Sequence, residues 1–356
     1  MLFLPHEVQL DVLKCLKFEQ LFSLKQTNLY FRNLINKYEG ELARMEFFKL
    51  SLLDTLDVGY QLRNSYKIVN LEPVISDFVL DGQLMKKWKA ALAESVPLFL
   101  HGYDYYGEDF VVQMEKTKNK KPYILNLPNI PKTIEEMIII RFWLQQLSNC
   151  SFEEAELDNI FNPTIINLLF DNETSLHFHI QTIFIGNDNA TVENFLKFGL
   201  NLFTIYDVFS VALDDLSERF TDILFNIIIN EGKKLPRVSF GYCDSSRLYD
   251  LIIKYITTSK DFSKMVSFIF LLYDSFENIK IPERAKDVVT KQSDNSKIIA
   301  YQIINIYNPI EKFLFMNAEC GPYFGIYIAR MERMEKKIMK IFINLLGNDY
   351  LKKVIS

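Results

Sequence analysis

Four histidines, His6, His101, His177 and His179, are the first candidates for metal or proton chemistry in this chain. On a strand, His177 and His179 fall on one side, as two ligands of a metal centre would. A tetrahedral centre needs three or four donors, and no cysteine or third histidine stands at ligand spacing. The pair is therefore expected on a solvated strand face. Cys15, Cys150, Cys243 and Cys320 lie far apart with no C-x-x-C pair, so they read as free thiols in a reducing compartment. There is no glycine-rich phosphate loop, no G-x-S-x-G elbow and no Cys–His pair placed for nucleophilic attack. These residues predict no metal, no cofactor and no catalytic machinery. Lys116, Lys118, Lys120 and Lys121 read as a solvated basic loop, and Glu153, Glu154 and Glu156 as an acidic strand face.

Of the 356 residues, 49% are apolar and 24% charged, enough apolar surface to offset the ordering entropy of a globular fold. The net charge of −5 argues against nucleic acid as a partner. The apolar runs Met137–Trp143 and Met265–Tyr273 are too short to span a bilayer, and Arg141 interrupts the first. The opening M-L-F-L-P-H-E reaches Glu7 without a basic region, so no signal peptide is expected. The expected location is cytoplasmic or nuclear.

The elements that begin the chain are three short helices. Pro5 sits at a helix start, and Glu7 lies in the first turn, where the helix dipole favours an acid. Val8, Val12, Cys15 and Leu16 follow at helical spacing. A second helix carries Leu21, Phe22 and Leu24. A third starts after the N-cap Asn28 and carries Phe31, Leu34 and Ile35. A unit of about forty residues cannot hide so many apolar side chains within itself. The surplus must dock on the rest of the chain or on another protein.

Leu4, Pro5, Glu7, Val8, Leu13, Leu16, Leu21, Leu24, Phe31 and Leu34 resemble an F-box: an opening Leu-Pro-x-Glu, spaced Leu and Val, a break, a Leu-rich helix, then an aromatic. Phe18 stands where that family often has proline, and Phe31 where it often has tryptophan. The stretches LPHEVQLDVLKCLKFEQLFSLKQTN, RNLINKYEGELAR, FNPTIINLLFDN and RLYDLIIKYITTSKD resemble the expanded F-box proteins of plant-parasitic nematodes, up to about Ala318. The resemblance implies that Leu4, Pro5, Val8, Leu13, Leu16, Leu21, Leu24, Phe31 and Leu34 bind a Skp-type adaptor of a cullin–RING ubiquitin ligase. Ligase chemistry would then belong to the partners.

Beyond Lys121 the pattern repeats. Val192, Phe195 and Leu196, Phe220, Ile223 and Leu224, and Leu248, Leu251 and Ile252 open three amphipathic helices whose starts are 28 positions apart. Between them lie the alternating pairs Ala155/Leu157, Ile183/Ile185, Val211/Leu213, Phe240/Tyr242 and Phe268/Phe270. Val238-Ser-Phe240 recurs as Val266-Ser-Phe268. Thr133 and Glu136 form a capping-box pattern before a helix ending near Leu147. The expected fold is α/β: an F-box over 1–45, a connecting region over 46–121, a leucine-rich-repeat-like solenoid over 122–275, and a small antiparallel β cap with a closing helix over 276–356. Equal spacing in an ordinary α/β domain is the other reading.

In such a solenoid one set of strand alternates packs inward, and the other faces a partner. With Ile183, Val211, Phe240 and Phe268 inward, the outward row is Thr182, Ser210, Ser239 and Ser267, with Glu154 and Glu156 at one end and Phe184 and Ile269 as apolar anchors. The expected function is a substrate-receptor subunit that binds an adaptor at one end and a protein substrate at the other. A scaffold with no ubiquitin role is the alternative, and an unrecognised hydrolase a third.

Overall fold

The computed structural model describes residues 4–55, 66–71, 81–100, 110–118, 120–170, 176–186, 189–212, 218–241, 246–273, 280–293, 296–320 and 323–333. His101, Leu213, Tyr242, Cys243, Phe276, Ile279 and the expected closing helix from Met334 lie outside them. The chain is mixed α/β and divides into two compact units, Met1–Gln181 with Glu193–Thr204, and Thr182–Val192 with Ile205–Ser356.

The first unit opens with α1 (His6–Lys14), α2 (Phe18–Lys25) and α3 (Leu29–Lys37). Asn28 caps α3, its side chain accepting from the Phe31 amide at 2.9 Å. Leu13, Leu21, Phe31, Leu34, Ile35 and Leu42 pack together as the core of these helices. β1 (Met45–Asp54) follows. It runs parallel to β6 (Cys150–Leu157), pairing Leu50 with Ala155, and antiparallel to β4 (Phe110–Glu115), pairing Leu52 with Val112. β5 (Tyr123–Leu125) extends the sheet beyond β4, and β2 (Lys67–Ile68) runs parallel to β5. A separate two-stranded sheet joins β3 (Phe99–Leu100) to β7 (Ile160–Phe161).

Three further helices complete this unit: α4 (Gly82–Ala93), α5 (Ile134–Ser148) and α6 (Pro163–Phe170). At the start of α5, Thr133 Oγ1 accepts from the Glu136 amide as its pattern predicts. The Glu136 carboxylate accepts from Lys132, one residue before the expected donor. The Trp88 indole of α4, itself fully buried, donates to the Leu168 carbonyl of α6 at 2.8 Å. Through the interior runs a chain of ring contacts, Phe110–Phe99–Phe161–Phe178–Phe203–Phe195, with centroids 5.3 to 5.6 Å apart. Phe178 belongs to β8 (Phe178–Ile185), Phe195 to α7 (Asn189–Phe198) and Phe203 to β9 (Phe203–Ala212). Offset aromatic contacts of this kind contribute about 0.5–1.5 kcal/mol each beyond the area they bury.

The second unit alternates β9, α8 (Glu218–Asn230), β10 (Arg237–Gly241), α9 (Ser246–Thr258) and β11 (Phe268–Tyr273). β9, β10 and β11 are parallel neighbours. α8 lies beside α9, with Phe225 edge-on to Tyr255 and Arg247 paired to Asp222 at 2.7 Å. Leu224, Ile228, Leu248, Ile252 and Ile256 are all fully buried. Periodicity therefore placed these helix faces well.

It misplaced one strand. Ser239 pairs with Ser210 on one side and with Phe270 on the other, so β11 lies three residues out of the expected 28-residue frame. The connection from α8 to β10 spans residues 231–236, but that from α9 to β11 spans 259–267. The extra length forms a turn in which Asp261 accepts from the amide of Ser263, and the Val266 amide is spent on the Ile228 carbonyl. Val266 and Ser267 thus precede the strand, which begins at Phe268. Gly232 is required at the shorter turn, where a Cβ would stand 2.3 Å from the Met265 carbonyl oxygen.

After β11 the sheet turns antiparallel. β15 (Tyr323–Arg330) pairs with β11, then come β14 (Lys312–Cys320), β13 (Ser296–Ile304) and β12 (Lys286–Ser293). These strands occupy the edge that the last parallel strand would otherwise expose. Against β13, Tyr249 of α9 shares a buried hydroxyl–hydroxyl hydrogen bond with Tyr301, and Phe315 stacks on Tyr301 at 5.2 Å. Burial pushes the Tyr301 hydroxyl up to about 12 and that of Tyr249 up as well, so both stay neutral.

Asn305 fastens the end of α9. Its Nδ2 donates to the carbonyls of Ile256, Thr257 and Ser259, while its Oδ1 accepts from the amides of Tyr307 and Asn308. Beside it Arg330 of β15 grips Glu311 with two nitrogens and donates to the Phe262 carbonyl at 3.2 Å. Arg330 is 7% exposed and Glu311 9%. Arg330→Met alone strands a buried carboxylate and is expected to cost about 3–5 kcal/mol in urea unfolding. Arg330→Met with Glu311→Leu removes both charges and should recover most of that loss. A double variant as unstable as the single one would mean the strands depend on something other than this pair.

Candidate protein-binding surfaces

The N-terminal helices leave a line of apolar side chains in solvent. Leu4, Val8 and Val12 recur every fourth residue along one face and are 41%, 41% and 37% exposed. Leu29 and Tyr30, at the start of α3, are also exposed. Gln9 holds the two sites together: its Nε2 donates to the Leu4 carbonyl at 2.9 Å, and its Oε1 accepts from the Tyr30 hydroxyl at 2.5 Å. It is 2% exposed, a buried polar group with its hydrogen bonds made. An open groove bordered by Val12, Leu16, Ser23, Leu24 and Thr27 runs between α1 and α2.

The residues expected to touch an adaptor divide accordingly. Leu4, Pro5 and Val8 lie on the surface, and Leu16 and Leu24 are half-buried. Leu13, Leu21, Phe31 and Leu34 are at most 5% exposed and form the helices' own core. They support the surface without reaching a partner. Val12, Leu29 and Tyr30 complete it. Helical spacing could have found Val12 on the Leu4–Val8 line, but Leu29 and Tyr30 join only because Gln9 crosses from α1 to α3.

The strand row is also redrawn. Ser210 and Ser239 are register partners and both half-buried, and the row continues through Phe270 to Tyr327. The Phe270 and Tyr327 rings stand 4.6 Å apart. Ser267 precedes β11 and donates to the Pro236 carbonyl at 3.2 Å, so it leaves the row. Ile269 is 1% exposed and pairs with Val238, so it faces inward rather than serving as an anchor. Phe184 is 42% exposed and Thr182 half-buried, both on β8. In the first unit Glu156 pairs with Lys49, and Glu154 stands opposite Lys49 in the strand register.

No group of three or more His, Cys, Asp or Glu side chains among the described residues could hold a metal ion. His179 is held down to about 4 by burial first, then by the charges of Arg44 and His177, so it is neutral at pH 7. Burial and Glu39 push the Cys150 thiol up to about 12, which removes it as a nucleophile. No helix among the described residues is long and apolar enough to cross a membrane.

Residues 69–214 match a family described as a domain of unknown function, DUF8381. The match begins after the N-terminal helices and takes in all six phenylalanines of the interior chain. No curated protein and no solved structure matches the chain.

The low value for His179 makes stability depend on pH. The unfolded chain takes up a proton near pH 6.5, while the folded protein resists until about 4. The stability that this neutral imidazole supports is present above pH 6.5 and is lost as pH falls from 6.5 toward 4. His179→Gln cannot titrate. Its urea midpoint should fall less between pH 7 and pH 5 than that of the unsubstituted protein, and equal falls would refute the assignment.

Proposed function

We propose that the chain is a substrate-receptor subunit of a cullin–RING ubiquitin ligase, with α1 to α3 acting as an F-box that binds a Skp-type adaptor. The observation that carries this reading is the exposed apolar line Leu4–Val8–Val12 on helices that already have a core of their own. A small helical unit with a filled core has no internal use for these side chains, and a contiguous apolar surface of this kind marks an interaction site. The match of the first forty residues to the F-box pattern supplies the class of partner.

Such a subunit works by proximity. One surface fixes the adaptor, another holds a substrate, and the raised local concentration at the ubiquitin-charged partner is this chain's whole contribution. For the substrate surface, the reading favours the face carrying Ser210 and Ser239, bounded by Phe270 and Tyr327. Small polar side chains let a partner approach the sheet closely, and the aromatic pair offers an apolar anchor. The succession β9–α8–β10–α9–β11 is compatible with a leucine-rich-repeat-like array in which the β10–α9–β11 unit is longer. A scaffold without a ubiquitin role would use the same strand face and leave the adaptor unbound.

Leu4→Ala with Pro5→Ala should weaken binding of a purified Skp-type adaptor by roughly 2–4 kcal/mol in calorimetry, with circular dichroism unchanged. Unaltered affinity, or no adaptor binding by the parent protein, would refute the F-box reading. Ser210→Arg with Ser239→Arg should keep adaptor binding and remove proteins captured by proximity labelling. An unchanged set would place substrate binding elsewhere.

A further inference from the structure

The first unit holds a cavity of about 360 Å³ that is open to solvent on one side, within the range of small-molecule sites. Its walls are aromatic: Phe18 and Phe22 from α2, Phe47 from β1, and Phe142 and Trp143 from α5. Phe142 stands edge-on to Trp143 at 5.4 Å. Two polar features break this apolar lining.

The first is the indole of Trp143. Its Nε1–H is shut off from solvent and has no hydrogen-bond acceptor among the described residues. The second is Arg44, a half-buried cavity residue. Its guanidinium donates to the Gly40 carbonyl at 3.2 Å and has no carboxylate partner among the described residues. The other charges at the cavity are committed to each other. Glu39 pairs with Lys25 at 3.5 Å and accepts from Asn149 Nδ2 at 3.2 Å. The lining therefore carries one uncompensated positive charge beside an apolar volume.

We propose that this cavity binds a small hydrophobic monocarboxylate, its apolar body between the aromatic walls and its anionic head at Arg44. A guanidinium matches a carboxylate with two parallel donors, the strong form of this contact. A neutral alcohol of equal length would fill the same volume and leave Arg44 uncompensated. Because the occupant binds the folded protein, it should also raise the unfolding temperature. The inference is independent of the adaptor reading: it concerns side chains on the opposite flank of α2 from the groove with α1, and it stands whichever partner the exposed line serves.

The test uses the full chain with 1-anilinonaphthalene-8-sulfonate as the fluorescent reporter, and decanoate and decanol as competitors. Decanoate is expected to displace the reporter from a single saturable site at least tenfold more effectively than decanol. Arg44→Gln should abolish that preference, and Arg44→Lys should retain part of it. Ala43 lines the cavity from an exposed position, so Ala43→Phe fills space without disturbing the core. It should lower decanoate affinity at least tenfold, with an unchanged urea midpoint certifying the fold. Equal displacement by decanoate and decanol would overturn the proposal. So would decanoate binding unaffected by Ala43→Phe, or the absence of a saturable site.

Discussion

A parallel strand at the end of a series presents a row of unpaired backbone groups, and the second unit is organised around closing that edge. β15 lies antiparallel on β11, and a buried ionic clamp holds its end. Arg330 leaves β15, grips Glu311 at the start of β14 and reaches the Phe262 carbonyl after α9. Asn305 then binds three carbonyls at the end of α9. Those carbonyls have no helical partners, so an unfilled α9 terminus would be costly in this buried position. The clamp therefore satisfies the helix end and fixes the antiparallel strands with the same few side chains. Glu311 without Arg330 would be a buried carboxylate without compensation, whereas Arg330 also has the Glu332 carboxylate at 3.7 Å.

The first unit solves a different problem. Its short strands β3 and β7 have only two residues each and cannot stabilise themselves by pairing. The run of phenylalanines from Phe110 to Phe195 supplies large apolar area where backbone hydrogen bonds are few. Trp88 adds a link in which one side chain both fills space and satisfies the Leu168 carbonyl. The segment matched to DUF8381 contains this aromatic chain.

The functional reading follows from how apolar surface is distributed. α1 to α3 bury Leu13, Leu21, Phe31 and Leu34 in common and leave Leu4, Val8 and Val12 outside. A partner that covers the outer line adds to a surface already held in place by Gln9, so little ordering would be needed on binding. His179 and Cys150 are kept neutral by their surroundings, which suits packing and removes them from proton transfer or nucleophilic attack at neutral pH.

The sequence by itself determined local periodicity and its caps. The three N-terminal helices, the buried faces of α8 and α9 and the Asn28 cap were all legible, because each depends on neighbours within one or two turns. The acidic and small-residue strand positions were legible as types, since alternation separates the two faces of a strand. Tertiary structure decided the rest. Which of the N-terminal apolar residues face out depended on helix packing, so the sequence pattern could not separate surface positions such as Val8 from core positions such as Leu13. The pairing of Ser239 with Phe270 depended on a connection three residues longer than its predecessor, and this odd shift exchanges the strand's two faces, turning Ile269 and Leu271 inward. Arg330 with Glu311, and Arg44 beside Trp143, come from separate elements, and no local spacing joins them. Pairwise contact at long sequence separation is set only when the elements have packed.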